Sequence, residues 1–273
     1  MITDKERKLQ HQKDLERLKQ FRPIDDTFMR SLFRECLPLA ELVLRIIIGK
    51  QDLILLSCET QADMKRVTGA RTICLDAYAT DSTGKKYDIE MQRADGGADP
   101  HRARYHSSIL DVANLDKGQE FTELPDTYVI FITEKDYYKK GNPVYQIQNM
   151  NLTLNEPFND GAHILYVNGA YRGDSDIGKL MHDFNCADAN DMYFELLAER
   201  TRYYKEDPKG VEEMCKIMEE LRDESYTKGY TNGEFKTTVK YYKRGTISIE
   251  QAAADVGMTV GEFEKKMNAL YRK

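Results

Sequence analysis

The sequence predicts an α/β protein: a mixed β-sheet flanked by helices, followed by an all-helical C-terminal region. Three observations predict it. Segments of helical and strand period alternate as far as about Asp174. The run TYVIFITE at 127–134 is almost continuously apolar and β-branched, which suits a central strand covered on both faces. Beyond Asp174 the periodic segments are all helical, so the sheet and its helices fall in the first two thirds of the chain.

The elements follow in order. Residues 1–20 are charged helix formers with few apolar positions, a solvated lead-in helix. Asp25 or Asp26 can cap a helix carrying Phe28, Leu32 and Phe33 at helical spacing, and Pro38 opens a second helix that closes near Gly49. Strands are expected at 53–58, 72–80, 85–92, 127–134, 144–150 and 163–169. Between the third and fourth, Asp99 and Pro100 start a helix and Gly118 marks its stop, with Tyr105, Ile109, Val112 and Leu115 as the apolar stripe. Helices are expected at 175–185, 190–206, 208–227 and 229–244, punctuated by Pro208 and Gly229. The organisation is thus a lead-in helix (1–20), an α/β core (21–174), a helical extension (175–245) and a small helix-turn-helix-like tail (246–273). In that tail Gly257 lies in the turn, Thr259 caps and Phe263 anchors. The tail's second helix carries Glu262 and Glu264 besides Lys265 and Lys266, which favours a packing or oligomerisation hairpin, and so a homo-oligomer, over a DNA-reading one.

Composition narrows the classes. A chain of 273 residues can bury a real core. Its net charge of −6 argues against a uniformly basic nucleic-acid coat but leaves room for a local basic groove. The longest apolar run, at 42–49, is short and broken by Arg45, so no membrane span is expected, and the charged N-terminus lacks a secretory core. Five dispersed cysteines (Cys36, Cys58, Cys74, Cys186, Cys215) fit reduced thiols of a cytoplasmic protein rather than a disulfide frame or zinc site. Glycine-rich phosphate loops are absent from the sequence.

The chemistry concentrates in TICLDAYATDSTGKKYDIEMQ, residues 72–92, which reads as a hairpin. Side chains alternate along a strand, so Asp88, Glu90 and Gln92 share one face and Tyr87, Ile89 and Met91 the other. A three-residue loop Ser82-Thr83-Gly84, with glycine where a left-handed conformation is wanted, sets Asp81 opposite Lys85 and Asp76 opposite Glu90. A two-residue loop would put Asp76 on the other face. Facing carboxylates repel unless one is protonated or a cation intervenes, and Mg²⁺ or Mn²⁺ favours such oxygen ligands. The alternative is a solvated strand face, where Asp, Glu and Gln are commonplace.

Three segments, RPIDDTFMRSLF, LDAYATDSTGKKYDIEMQ and RARYHSSILD, together resemble the PD-(D/E)XK nuclease-family transposases, over roughly residues 22–200. The resemblance implies a restriction-endonuclease-like core and Mg²⁺- or Mn²⁺-dependent hydrolysis of DNA, with DNA as partner and a cytoplasmic, nucleoid-associated location. It implies Asp76 and Glu90 as metal ligands, the Met91 carbonyl as a third, and Gln92 where the family's lysine stands. No proline precedes Asp76, and glutamine lacks the lysine charge. Accessory candidates are Asp26 (ligand or helix cap), Asp88, Arg104 as a phosphate clamp and Tyr105, which also suits the core. His101 and His106 are expected to make surface contacts only. The rival reading keeps the fold as a non-catalytic DNA-binding or regulatory module; a protein-interaction module built on the helical third leaves the carboxylate face unexplained.

Overall fold

A computed structural model of the chain describes residues 4–64, 74–93 and 95–271. The expected strand start at Thr72 and Ile73 lies outside them. Helices α1 (Asp4–Gln20), α2 (Asp26–Phe33) and α3 (Leu37–Ile48) precede strands β1 (Leu55–Asp63), β2 (Cys74–Asp81) and β3 (Lys86–Gln92). Then come α4 (Pro100–Asn114), β4 (Thr127–Thr133), β5 (Val144–Ile147), the short pair β6 (Met150–Asn151) and β7 (Glu156–Pro157), and β8 (Ala162–Asn168). Helices α5 (Asp176–Asn185), α6 (Glu195–Glu206), α7 (Pro208–Lys243), α8 (Ile249–Asp255) and α9 (Val260–Tyr271) complete the chain. The chain divides into two compact units, residues 1–211 and 212–273.

The first unit is built on a six-stranded mixed sheet of order β1-β2-β3-β4-β8-β5. β3, β4 and β8 run parallel, and the other pairings are antiparallel. Parallel neighbours cannot be joined by a tight turn, so the chain leaves β3, crosses through α4 and returns in β4. Six of the seven β4 residues are buried, as its apolar run requires. α4 packs on β4 and β8, and its Ala103, Ile109 and Leu110 join Val129, Phe131 and Tyr166 in one core. α2 and α3 pack against β1 and β2, with α5 beside α3 and α6 beside α2.

β1 is an edge strand, as expected of 53–58, but its run is covered on one side only: Ile54 and Leu56 are exposed while Leu53 and Leu55 are buried. Other expectations shift. The buried face of α4 is Ala103, His106, Ser107, Ile109 and Leu110; of the expected stripe Tyr105, Ile109, Val112 and Leu115, Ile109 is buried and Tyr105 packs against the core, while Val112 is exposed. Gly229 breaks nothing. α7 is a single 36-residue helix running through both Gly229 and Gly233.

The second unit has its own small core, Phe235 and Val239 of α7 with Ala252 and Ala253 of α8 and Phe263 of α9. Ser248 caps α8, and Thr259 with Glu262 forms a reciprocal cap on α9. Gly257 takes a φ of +64° in the turn between them.

Gly229 and Gly233 are exposed within α7, and a Cβ on either meets nothing. Replacing either with alanine stabilises the helix by about 1 kcal/mol. Hydrogen exchange across α7 slows accordingly, roughly fivefold per substitution; faster exchange in either variant would mean the helix is broken there.

Candidate active site

The hairpin has the register that a loop at Ser82-Thr83-Gly84 dictates. Ala77 pairs with Ile89, Tyr78 with Asp88, Ala79 with Tyr87 and Thr80 with Lys86. Gly84 has a φ of +88° and its N–H reaches the Asp81 carbonyl. The Asp81 carboxylate locks the turn by accepting from the Thr83 and Lys85 N–H groups and from the Tyr87 hydroxyl.

One step further, where Asp76 faces Glu90, backbone pairing gives way to side chains. The Asp76 N–H donates to Glu90 Oε1 at 3.0 Å, and the Met91 N–H donates to Asp76 Oδ2 at 3.1 Å. The two carboxylates therefore meet at the point where β2 and β3 part. Gln92 O accepts from Glu134 N on the β4 side, so by strand alternation the Met91 carbonyl turns towards β2 and the carboxylates. The Gln92 amide oxygen lies against Gly97, where a Cβ would overlap it.

The carboxylate face is buried rather than solvated. Asp88 and Glu90 are both 0% exposed and Asp76 is 7% exposed. Cations come from the flanking helices. Arg30 of α2 places Nη2 at 2.9 Å from Asp76 Oδ1 and 2.8 Å from Asp26 Oδ1. Arg102 of α4 donates from Nη2 to Glu90 Oε2 at 2.9 Å, from Nη1 to the Gly97 carbonyl at 3.1 Å and from Nε to His106 Nε2 at 3.2 Å. Arginine only donates, so His106 Nε2 accepts and the ring proton sits on Nδ1, 2.8 Å from Asp88 Oδ2. Asp88 Oδ1 is buried with no hydrogen-bond partner.

Burial dominates the electrostatics. Desolvation, then the neighbouring Asp88 and Asp76 charges, pushes Glu90 up to about 8. Desolvation also holds Asp88 well above the usual carboxylate range and keeps His106 below its usual value, hence neutral. Asp26 is raised by desolvation and by Asp76. Ligand atoms of Asp88, Glu90 and His106 all lie within 4.8 Å of one another.

The structure brings together Asp76, Glu90, Asp88 and Asp26, with the Met91 backbone beside them. It does not bring in Arg104, which is exposed on the side of α4 away from Arg102 and His106. Tyr105 packs against the core. His101 is exposed beside the Asp99 cap, but His106 is wholly buried against Asp88, which overturns its expected surface role. Arg30, Arg102 and Gly97 were not singled out in the sequence. The signal for the arginine was the i,i+4 pair Arg102–His106, aligned on one helix face once Asp99 and Pro100 fix the start of α4.

The mixed sheet and its flanking helices, with a buried carboxylate pair at parting strands, are consistent with a PD-(D/E)XK fold. Residues 41–170 match the model of a family described as PD-(D/E)XK nuclease family transposase, which bears out the resemblance over that span. The span takes in β1–β8 and α4 but not α2, with Asp26 and Arg30, nor the C-terminal helices. No curated protein and no solved structure shows a significant match to the chain.

Two outcomes test the site's electrostatics. A Glu90 carboxyl with an ordinary value of 4.5 and a folded value near 8 stabilises the fold fully below pH 4.5 and loses that contribution as pH rises through about 8. Glu90→Gln removes this loss along with the repulsion from Asp76 and Asp88. In EDTA the variant therefore gains stability over wild type progressively from pH 5 to pH 9 in urea unfolding followed by tyrosine fluorescence. A pH-independent difference would mean Glu90 is not held protonated. His106→Ala strips Asp88 of its donor and opens a cavity, lowering stability by on the order of 3 kcal/mol in the same assay.

Proposed function

We infer that the chain is a metal-dependent DNA endonuclease of the mobile-element type. The observation that supports this most is the pairing of Asp76 with Glu90 where β2 and β3 separate, next to the Met91 peptide. The donor set fits a hard divalent cation: carboxylate and carbonyl oxygens, with the nearby imidazole nitrogens both engaged, by Arg102 and by Asp88. The raised Glu90 and the unpartnered Asp88 oxygen are what a buried acidic group shows when its charge calls for a cation.

In this reading Asp76, Glu90 and the Met91 carbonyl hold Mg²⁺ or Mn²⁺. Such an ion, when bound, polarises a phosphoryl oxygen and lowers the pKa of a water. Asp76 and Glu90 act as ligands only in their ionised forms, so both must give up any proton they carry. Gln92, held against Gly97, orients a water or a phosphate oxygen through its amide. Asp26 extends the acidic patch from α2, and Arg30, bonded to both, offsets part of the repulsion between Asp76 and Asp26. Asp88, bonded to His106, backs Glu90 from the interior.

A second reading, a nuclease-fold module that binds DNA without cutting it, is favoured by the neutral Gln92. Metal uptake separates the two. Calorimetry on the wild type should register Mn²⁺ binding that disappears in Asp76→Ala and Glu90→Ala. Nicking of supercoiled DNA in Mg²⁺ should fall by on the order of a hundredfold or more in each variant. Undiminished cleavage in excess EDTA excludes the metal mechanism, and DNA binding with no metal uptake selects the second reading.

A further inference from the structure

We propose that Arg102, carried on α4, supplies at the scissile phosphate the positive charge that Gln92 cannot. The proposal rests on the nuclease reading and adds a residue to it. Gln92 stands two positions beyond Glu90 and packs against Gly97, and its amide is neutral. Arg102 arrives at the same place from the helix. One end of its guanidinium touches Glu90 Oε2 at 2.9 Å, and the other touches the carbonyl of that same Gly97 at 3.1 Å. Gln92 and Arg102 are thus two neighbours of one turn, one uncharged and one permanently cationic.

Three properties suit Arg102 to a phosphate. It is the more exposed of the two arginines bonded to the carboxylates: its side chain is 40% exposed against 27% for Arg30, while that of Glu90 is 1% exposed, so the guanidinium lies between Glu90 and an approaching DNA backbone. It is held in place, because His106 Nε2 fixes its Nε and the Phe131 ring lies 5.8 Å from its carbon centre. It keeps capacity in hand, because its bonds to Glu90, Gly97 and His106 use three of five N–H donors. The other arginines nearby are committed differently. Arg30 is shared between Asp26 and Asp76, Arg93 reaches Asp25 and Glu134, and Arg104 is on the outer side of the helix.

Two measurements on the full chain test this. The first is the affinity of a fluorescent DNA duplex in Ca²⁺, titrated against salt. Losing one phosphate contact in Arg102→Gln should reduce the slope of log K against log salt by about 0.9 and weaken binding uniformly across sequences. The second is cleavage in Mg²⁺. Arg102→Gln should lose activity by on the order of a hundredfold, Arg102→Lys should retain part of it, and Gln92→Lys placed in the Arg102→Gln background should restore cleavage. A purely structural role for Arg102 predicts no such rescue by a charge on the strand. An unchanged salt slope overturns the proposal, as does a double variant as inactive as Arg102→Gln. Absence of cleavage in the wild type would strike the nuclease reading instead, and the salt slope would still report on Arg102.

Discussion

Two carboxylates, Asp88 and Glu90, stand on a strand that is buried on both faces, and much of the surrounding structure answers to them. An ionised carboxylate without compensation in such a place costs several kcal/mol, so the fold has to supply protons, donors or cations. It supplies all three. Glu90 and Asp88 are held towards their protonated forms, His106 donates to Asp88, and Arg102 donates to Glu90. The same demand appears at Asp76, met by Arg30 and by the Met91 peptide. A ladder of backbone bonds would have satisfied the Met91 N–H equally well, so its loss at this point is where sheet stability yields to chemistry.

Much of this was legible in the sequence, for reasons that are local. Gly84 in a three-residue turn fixes the hairpin register, and register alone decides that Asp76 and Glu90 meet. Asp99 and Pro100 fix where α4 begins. The buried character of 127–134 follows from its lack of alternation. The stripe of α4 read through Tyr105, Ile109, Val112 and Leu115 held only in part: Ile109 is buried and Tyr105 packs on the core, but Val112 is exposed and the buried face extends to His106, which was expected at the surface. The true face includes two polar positions, His106 and Ser107, and a hydrophobic pattern cannot register a buried histidine whose partner lies 18 residues back on a strand. Gly229 misled for the opposite reason: glycine weakens a helix without ending it when its neighbours propagate the turn.

The charges around the site come from different layers. The acids Asp76, Asp88 and Glu90 ride on β2 and β3, and the bases Arg30 and Arg102 ride on α2 and α4, with Asp26 the one acid that α2 adds. Strand positions are rigid and closely spaced, so the acids are held close together. Helical arginines reach in on long side chains and tolerate small shifts of the helix.

Topology explains why α4 is the helix that can carry such a cation. Because β3 and β4 are parallel, the chain must cross between them, and only a short link separates the end of β3 at Gln92 from the start of α4 at Pro100. The first two turns of α4 therefore stand over the end of β3, beside Glu90, whatever their sequence. Arg102 and His106 occupy those turns, one helical turn apart. Gln92 along the strand and Arg102 back from the helix both reach Gly97. The neutral glutamine at 92 is thus compatible with a charged site, provided the crossover helix keeps its phase, and that phase is set by Asp99, whose carboxylate caps α4 through the His101 N–H.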